Sequence, residues 1–118
     1  MVKAEAYGLG ALPVVRALLA VDPWGFGVAS LDEAEALRAG AIATRVMCFT
    51  PILRAEHARA LALGVTPSLH RADDVRAWHA AGGGAWHLAI DTGMHRAGAR
   101  WDALDDALLA AIAEHPPE

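Results

Sequence analysis

Short runs of β-branched and aromatic residues begin about every 20 positions along this chain, at Met1–Ala4, Trp24–Ala29, Arg45–Phe49, Val65–Leu69 and Trp86–Ile90. That spacing leaves room for one helix in each gap, and the gaps carry helix signals. Ala11–Val21 places Leu12, Val15, Leu18 and Leu19 on one face. Ser30-Leu31-Asp32-Glu33 has the form of a capping box, and Gly40 stops the helix that it opens. Thr50-Pro51 offers an N-cap with proline at the first turn, and Gly64 ends that segment. Ala72–Ala81 presents Val75 and Trp78 before Gly82-Gly83-Gly84, and Asp102–Glu114 aligns Leu104, Leu108, Leu109 and Ile112. Strands separated by single helices imply right-handed crossovers and a parallel sheet. The fold class expected is α/β, a partial (β/α)8 TIM-type barrel with about five parallel strands, because a complete barrel takes about 250 residues. The 118 residues are expected to form one incomplete barrel domain, 1–118.

Composition removes several function classes. The chain is 55% hydrophobic and 20% charged, which excludes a disordered or low-complexity chain. Its net charge of −4, without a basic stripe or tail, argues against nucleic-acid and anionic-lipid partners. No apolar stretch approaches the roughly 20 residues of a spanning helix, and Met1–Glu5 lacks a signal-peptide core, so a cytoplasmic protein is expected. The single cysteine, Cys48, lies in an apolar run and reads as a buried structural thiol. Trp24, Trp78 and Trp86 read as core or helix-packing residues. His87, Asp91 and His95 recur at intervals of four, but on a strand and its end they stand too far apart to share a metal ion. His115-Pro116-Pro117-Glu118 reads as the beginning of an interhelical loop.

Parallel α/β folds carry their chemistry where strands end and loops begin. Two such places stand out. Val2-Lys3-Ala4-Glu5-Ala6-Tyr7-Gly8-Leu9-Gly10 sets a lysine at a strand end, followed by a tyrosine and two glycines. Lys3 is the only lysine beside nine arginines. Ile90-Asp91-Thr92-Gly93-Met94-His95-Arg96-Ala97-Gly98 is a polar, glycine-flanked loop leaving a strand.

Together these segments resemble the signature regions of the alanine racemase family of fold type III, which depends on pyridoxal 5'-phosphate. Phe26-Gly27-Val28-Ala29, Glu33-Ala34 and Leu69-His70 resemble the intervening parts of the same family, so the likeness runs over essentially the whole chain. It implies that Lys3 binds the cofactor as a Schiff base and serves as one of two catalytic bases. It further implies that the Tyr7 hydroxyl holds the cofactor phosphate, and that Arg96 sits beside the cofactor's phenolic oxygen and the substrate carboxylate. The competing readings are a solvated Lys3, a Tyr7 packed beneath a loop, and a surface Arg96 paired with Asp91.

Three positions depart from the family pattern. Glu5 stands where asparagine or aspartate is usual, Leu9 where histidine is usual, and Ala89 where many members carry a lysine that supports the arginine. Family members also begin earlier and continue through further barrel strands into a β-rich domain. That domain, in the partner subunit of a dimer, supplies a tyrosine as second base. The function implied is therefore the N-terminal part of an enzyme interconverting L- and D-alanine for cell-wall precursor supply, not active as this fragment alone. Alternatives are another fold-type-III amino-acid racemase, or a noncatalytic pyridoxal-phosphate-binding protein. Self-association is expected, since half a barrel leaves apolar surface uncovered.

Overall fold

Four short parallel strands, β1 (Phe26–Val28), β2 (Val46–Cys48), β3 (Val65–Leu69) and β4 (His87–Leu88), lie in sequence order in one sheet of the computed structural model, which describes all residues 1–118. Phe26 pairs with Val46, Val46 with Val65, and Ser68 with His87, so the wall advances by one stave per βα unit. Every residue of β1, β2 and β3 is buried, as strands covered on both faces require. The expected alternating α/β wall is therefore present, and its strand order is that of a partial barrel.

The N-terminal run forms no strand. One rung survives, the N–H of Val2 donating to the carbonyl of Gly27 (2.8 Å). The chain then enters α1 (Lys3–Gly8), in which Ala4, Glu5, Ala6 and Tyr7 all have positive φ, from 50° to 59°. It is a left-handed helical turn. The helices α2 (Ala11–Leu18), α3 (Leu31–Ala39), α4 (His57–Ala62), α5 (Ala72–Ala80) and α6 (Asp106–Glu114) follow.

Two helix starts differ from the sequence reading. Thr50-Pro51 does not open a helix; the chain continues to Leu53, whose N–H is taken by the Glu56 carboxylate (2.9 Å), and a 3₁₀ turn at Arg54–Glu56 leads into α4. Asp102 does not open the last helix, because the Arg100 guanidinium holds both of its oxygens (3.0 and 2.7 Å). Asp105 caps α6 instead, accepting from the N–H of Leu108 (2.7 Å). The last apolar run also splits: after β4, β5 (Ile90–Asp91) turns to pair with β6 (Ala99–Arg100). No helix is long and apolar enough to cross a membrane.

The core joins Val15, Val28, Leu37, Val46, Leu69, Val75, Trp78, Trp86 and Leu108 in one cluster. Buried indoles find partners, as their polar N–H requires: Trp78 donates to Gly84 O and Trp86 to His115 O, each at 3.1 Å. Trp24 is not a core residue; it is 59% exposed and covered by the guanidinium of Arg45, 4.4 Å from the ring centroid. Cys48 is buried as expected. Burial pushes its thiol up from the ordinary value, and the thiol donates to Thr50 O.

Candidate functional site

Four consecutive left-handed residues, none of them glycine, cost about 1–2 kcal/mol each in an L-chain. Hydrogen bonds from several directions hold α1 in that conformation. The N–H of Ala6 donates to Val2 O (2.9 Å) and that of Gly10 to Glu5 O (2.8 Å). The carboxylate of Glu5 accepts from the N–H of Ala11 (3.0 Å), at the start of α2. The carboxylate of Glu33, on α3, accepts from Ala4 N–H (2.8 Å) with Oε1 and from Ala29 N–H (2.7 Å) with Oε2. Val2 and Ala6 are buried beneath the turn. Lys3 thus stands on a backbone fixed from both sides.

Lys3 opens onto a cavity of about 310 Å³ whose wall includes Met1, Val28, Phe49, Pro51 and Arg96. The floor exists because residue 27 lacks a side chain. A Cβ on Gly27 would lie 2.6 Å from the Phe49 ring and 3.2 Å from Met1 Cε, so the ring could not cross β1 there. Phe49, Pro51, Arg96 and Ala97 also line a second cavity of about 460 Å³, which runs over Met47, Ser68 and Ala89 to Met94. A primary amine and a guanidinium therefore meet across an apolar floor at the strand ends.

Arg96 rides on the segment between β5 and β6, and Asp91 organises that segment. Asp91 is buried, and its Oδ1 accepts from the N–H groups of Gly93 (2.9 Å) and His95 (3.0 Å). Its Oδ2 lies 3.2 Å from His95 Nδ1. The two backbone N–H groups, with His95 beside them, hold the Asp91 carboxyl below the usual carboxylate range. Asp91 is thus taken up by its own loop and forms no pair with Arg96. The loop closes only with glycine at residue 98: φ is +121° there, and a Cβ would lie 2.7 Å from Asp91 N.

The expected site residues do not all converge. Lys3 and Arg96 line one cavity, whereas Tyr7, 65% exposed, is not among the residues lining it. Leu9 is exposed. Ala89 gives its backbone to the sheet, its N–H to Leu69 O and its carbonyl to Ala99 N–H, both at 2.8 Å. Phe49 and Glu33 belong to the site's surroundings without having been foreseen there. Glu33 carried two signals, a capping pattern and a place in the family resemblance, but neither assigned its carboxylate to the site. The cap is real, since Ser30 Oγ accepts from the N–H of Glu33 (3.2 Å). Its carboxylate, however, reaches past the cap to Ala29 and across to Ala4.

The chain and its order of staves have parallels among known proteins. Residues 1–117 match the family described as alanine racemase, N-terminal domain. The alanine racemase of Carboxydothermus hydrogenoformans is 36% identical over 112 residues, which cover 89% of this chain and 30% of that protein. That of Azoarcus sp. is 37% identical over 112 residues, with 91% and 31% covered. Among solved structures, the biosynthetic alanine racemase of Pseudomonas aeruginosa superposes with a TM-score of 0.74 at 37% identity, over 98% of this chain and 33% of that one. The alanine racemase of E.faecalis shares the fold, with a TM-score of 0.84 at 24% identity, over 97% of this chain and 32% of that one. The chain thus spans about a third of the length of these relatives. The chain, a partial TIM-type barrel wall, belongs to the alanine racemase N-terminal domain family.

Proposed function

We propose that these 118 residues are the N-terminal barrel portion of a pyridoxal 5'-phosphate-dependent racemase that interconverts L- and D-alanine, and that Lys3 and Arg96 bind cofactor and substrate in it. The observation supporting this reading is the shared cavity: the only lysine of the chain and Arg96 line one space with an apolar floor. The donor set suits the cofactor's chemistry, since an amine that can lose its proton condenses with an aldehyde and a guanidinium faces an anionic oxygen. When bound, pyridoxal phosphate delocalises the charge left at the substrate Cα as its proton departs.

Every other part of the work falls to the protein. The Lys3 Nζ, held by a rigid backbone, takes or returns the Cα proton on one face. Arg96 orients the substrate carboxylate with its planar fork. Phe49, Pro51 and Val28 supply the apolar part of the wall against which both groups stand. Tyr7 follows as the phosphate ligand, on the family resemblance and on its hydroxyl donor. A second base on the opposite face comes from outside these residues, from the partner subunit of a dimer. This reading places the intact enzyme in the cytoplasm, where it supplies D-alanine for cell-wall precursors.

The experiment is direct. Pyridoxal phosphate added to the protein should give a visible absorption band, and borohydride should fix the cofactor on the peptide containing Lys3. The Lys3→Ala variant should show neither. A wild-type protein without a band, or a label elsewhere, would refute the reading. A second amino-acid specificity is also worth testing: a histidine racemase from Leuconostoc mesenteroides subsp. sake shares the fold with a TM-score of 0.78 over 96% of this chain. Deuterium wash-in at Cα, compared between alanine and histidine, separates the two substrates.

A further inference from the structure

We propose that Glu33 is a positioning residue for Lys3: its single carboxylate clamps the left-handed turn that carries the amine to the end of β1, and so sets the direction in which the amine enters the cavity. The inference rests on the cofactor-binding reading above.

Glu33 is half-buried on the first turn of α3 and spends both oxygens on main-chain N–H groups from two other segments. Oε1 accepts from Ala4, the residue next to Lys3, at 2.8 Å, and Oε2 accepts from Ala29, just after β1, at 2.7 Å. Both distances fall in the range of charge-assisted bonds. The two donors come from two neighbouring segments of the cavity rim, which Lys3 and Ala29 both line. The carboxylate therefore fixes the spacing between the amine's backbone and the end of the neighbouring strand.

The backbone that it holds would not hold itself. Ala4 to Tyr7 are left-handed without a glycine among them, a conformation that persists only where its surroundings over-determine it. The remaining supports act further along the turn or before it: Ala6 N–H to Val2 O, Gly10 N–H to Glu5 O and Ala11 N–H to the Glu5 carboxylate. The Glu33 contact grips Ala4, the residue that follows Lys3, while on the other side Val2 is tied to Gly27 O (2.8 Å). Ser30 caps the same helix through the N–H of Glu33 at 3.2 Å and touches neither Ala4 nor Ala29 in this network. It supplies a control that weakens α3 while leaving the clamp.

Glutamine is the decisive substitution. In Glu33→Gln one oxygen still accepts, but an NH2 group now faces the second N–H, donor against donor. Glu33→Gln, Glu33→Ala and Ser30→Ala are compared with wild type in the intact protein by three measurements: thermal midpoint, amide hydrogen exchange at Ala4 and Ala29, and affinity for pyridoxal phosphate from the visible band. The two Glu33 variants should lose amide protection at Ala4 or Ala29 and bind the cofactor about tenfold more weakly or worse, through the loss of a charge-assisted bond. Ser30→Ala should lower the thermal midpoint by as much as Glu33→Gln and keep the wild-type cofactor affinity. The clamp is refuted if Glu33→Gln keeps both protected amides and wild-type affinity, or if Ser30→Ala weakens cofactor binding as much as Glu33→Gln does. Absence of cofactor binding in the wild type would overturn the cofactor reading, and with it the role toward Lys3. The exchange data would still decide whether Glu33 holds the turn.

Discussion

At the scale of single residues, the loop that bears Arg96 depends on one ionised carboxylate. Asp91 is acidified chiefly by the N–H of His95 and then by that of Gly93, with His95 itself adding to the effect. Its folded-state pKa therefore lies below that of the unfolded chain, about 3.9. The loop is fully held above that value and loses the contribution as pH falls through the lower, folded value. Between pH 6 and pH 2, amide chemical shifts of Gly93 and His95 should stay constant to about pH 4 and then move together. In Asp91→Asn, which keeps an accepting oxygen but no charge, that acid transition should disappear. An identical acid profile in the variant would show that Asp91 does not hold the loop.

At the scale of elements, much of the wall could be read in the chain, and the parts that could not have physical reasons. The observed limits of Val65–Leu69 coincide with the expected ones, although Thr66, Pro67 and Ser68 make it less apolar than a strand buried on both faces usually is. Ser30 and Glu33 announce α3 by local chemistry, and Gly40 ends it as expected. Lys3 and Arg96 stand out in sequence by their motifs, and the topology brings both to one cavity. The left-handed turn was illegible because nothing local demands it. Residues 4–7 include no glycine, and the contact that grips Ala4 comes from a side chain 29 positions away. The late starts of α4 and α6 escaped for a related reason, since Glu56 and the Arg100–Asp102 pair compete with the nearer capping residues.

Arg38, near the end of α3, ties two connections together. Its guanidinium donates to the carbonyls of Leu63 (2.7 Å), Ile42 (2.6 Å), Thr44 (2.8 Å) and Gly64 (3.1 Å). It thereby fixes the turns that enter β2 and β3, and burial lowers its pKa from the ordinary arginine value. Arg38→Met keeps the stem and strands four carbonyls, two of them beside buried strands. A loss of about 2–4 kcal/mol is expected, because hydrogen bonds to a charged group are worth about 1.5–3 kcal/mol and do not add. Urea denaturation should show a lower midpoint with an unchanged slope. A midpoint equal to wild type would mean that water replaces the guanidinium at no cost.

At the scale of the whole molecule, the wall remains open. The chain exposes 6695 Å² where a closed monomer of its mass exposes about 6,100 Å². Its radius of gyration is 14.8 Å against about 13.5 Å for a compact domain of this length. Val21, Trp24, Leu53, Met94 and Trp101 are among the large apolar side chains left exposed. An open mouth also bears on stereochemistry. Racemisation needs a proton acceptor on one face of Cα and a donor on the other, and these 118 residues hold one lysine and one tyrosine. On the proposed function, which gives Tyr7 to phosphate, Lys3 serves a single face. The 118-residue chain, saturated with pyridoxal phosphate in heavy water, should therefore exchange the Cα proton of alanine for deuterium while keeping the configuration of the enantiomer supplied. Mass spectrometry reads the exchange and chiral chromatography the configuration. Racemisation as fast as exchange would place both bases within these residues and make Tyr7, rather than a residue of a partner subunit, the first candidate for the second. Exchange that persists in Lys3→Ala would remove the amine from the chemistry altogether.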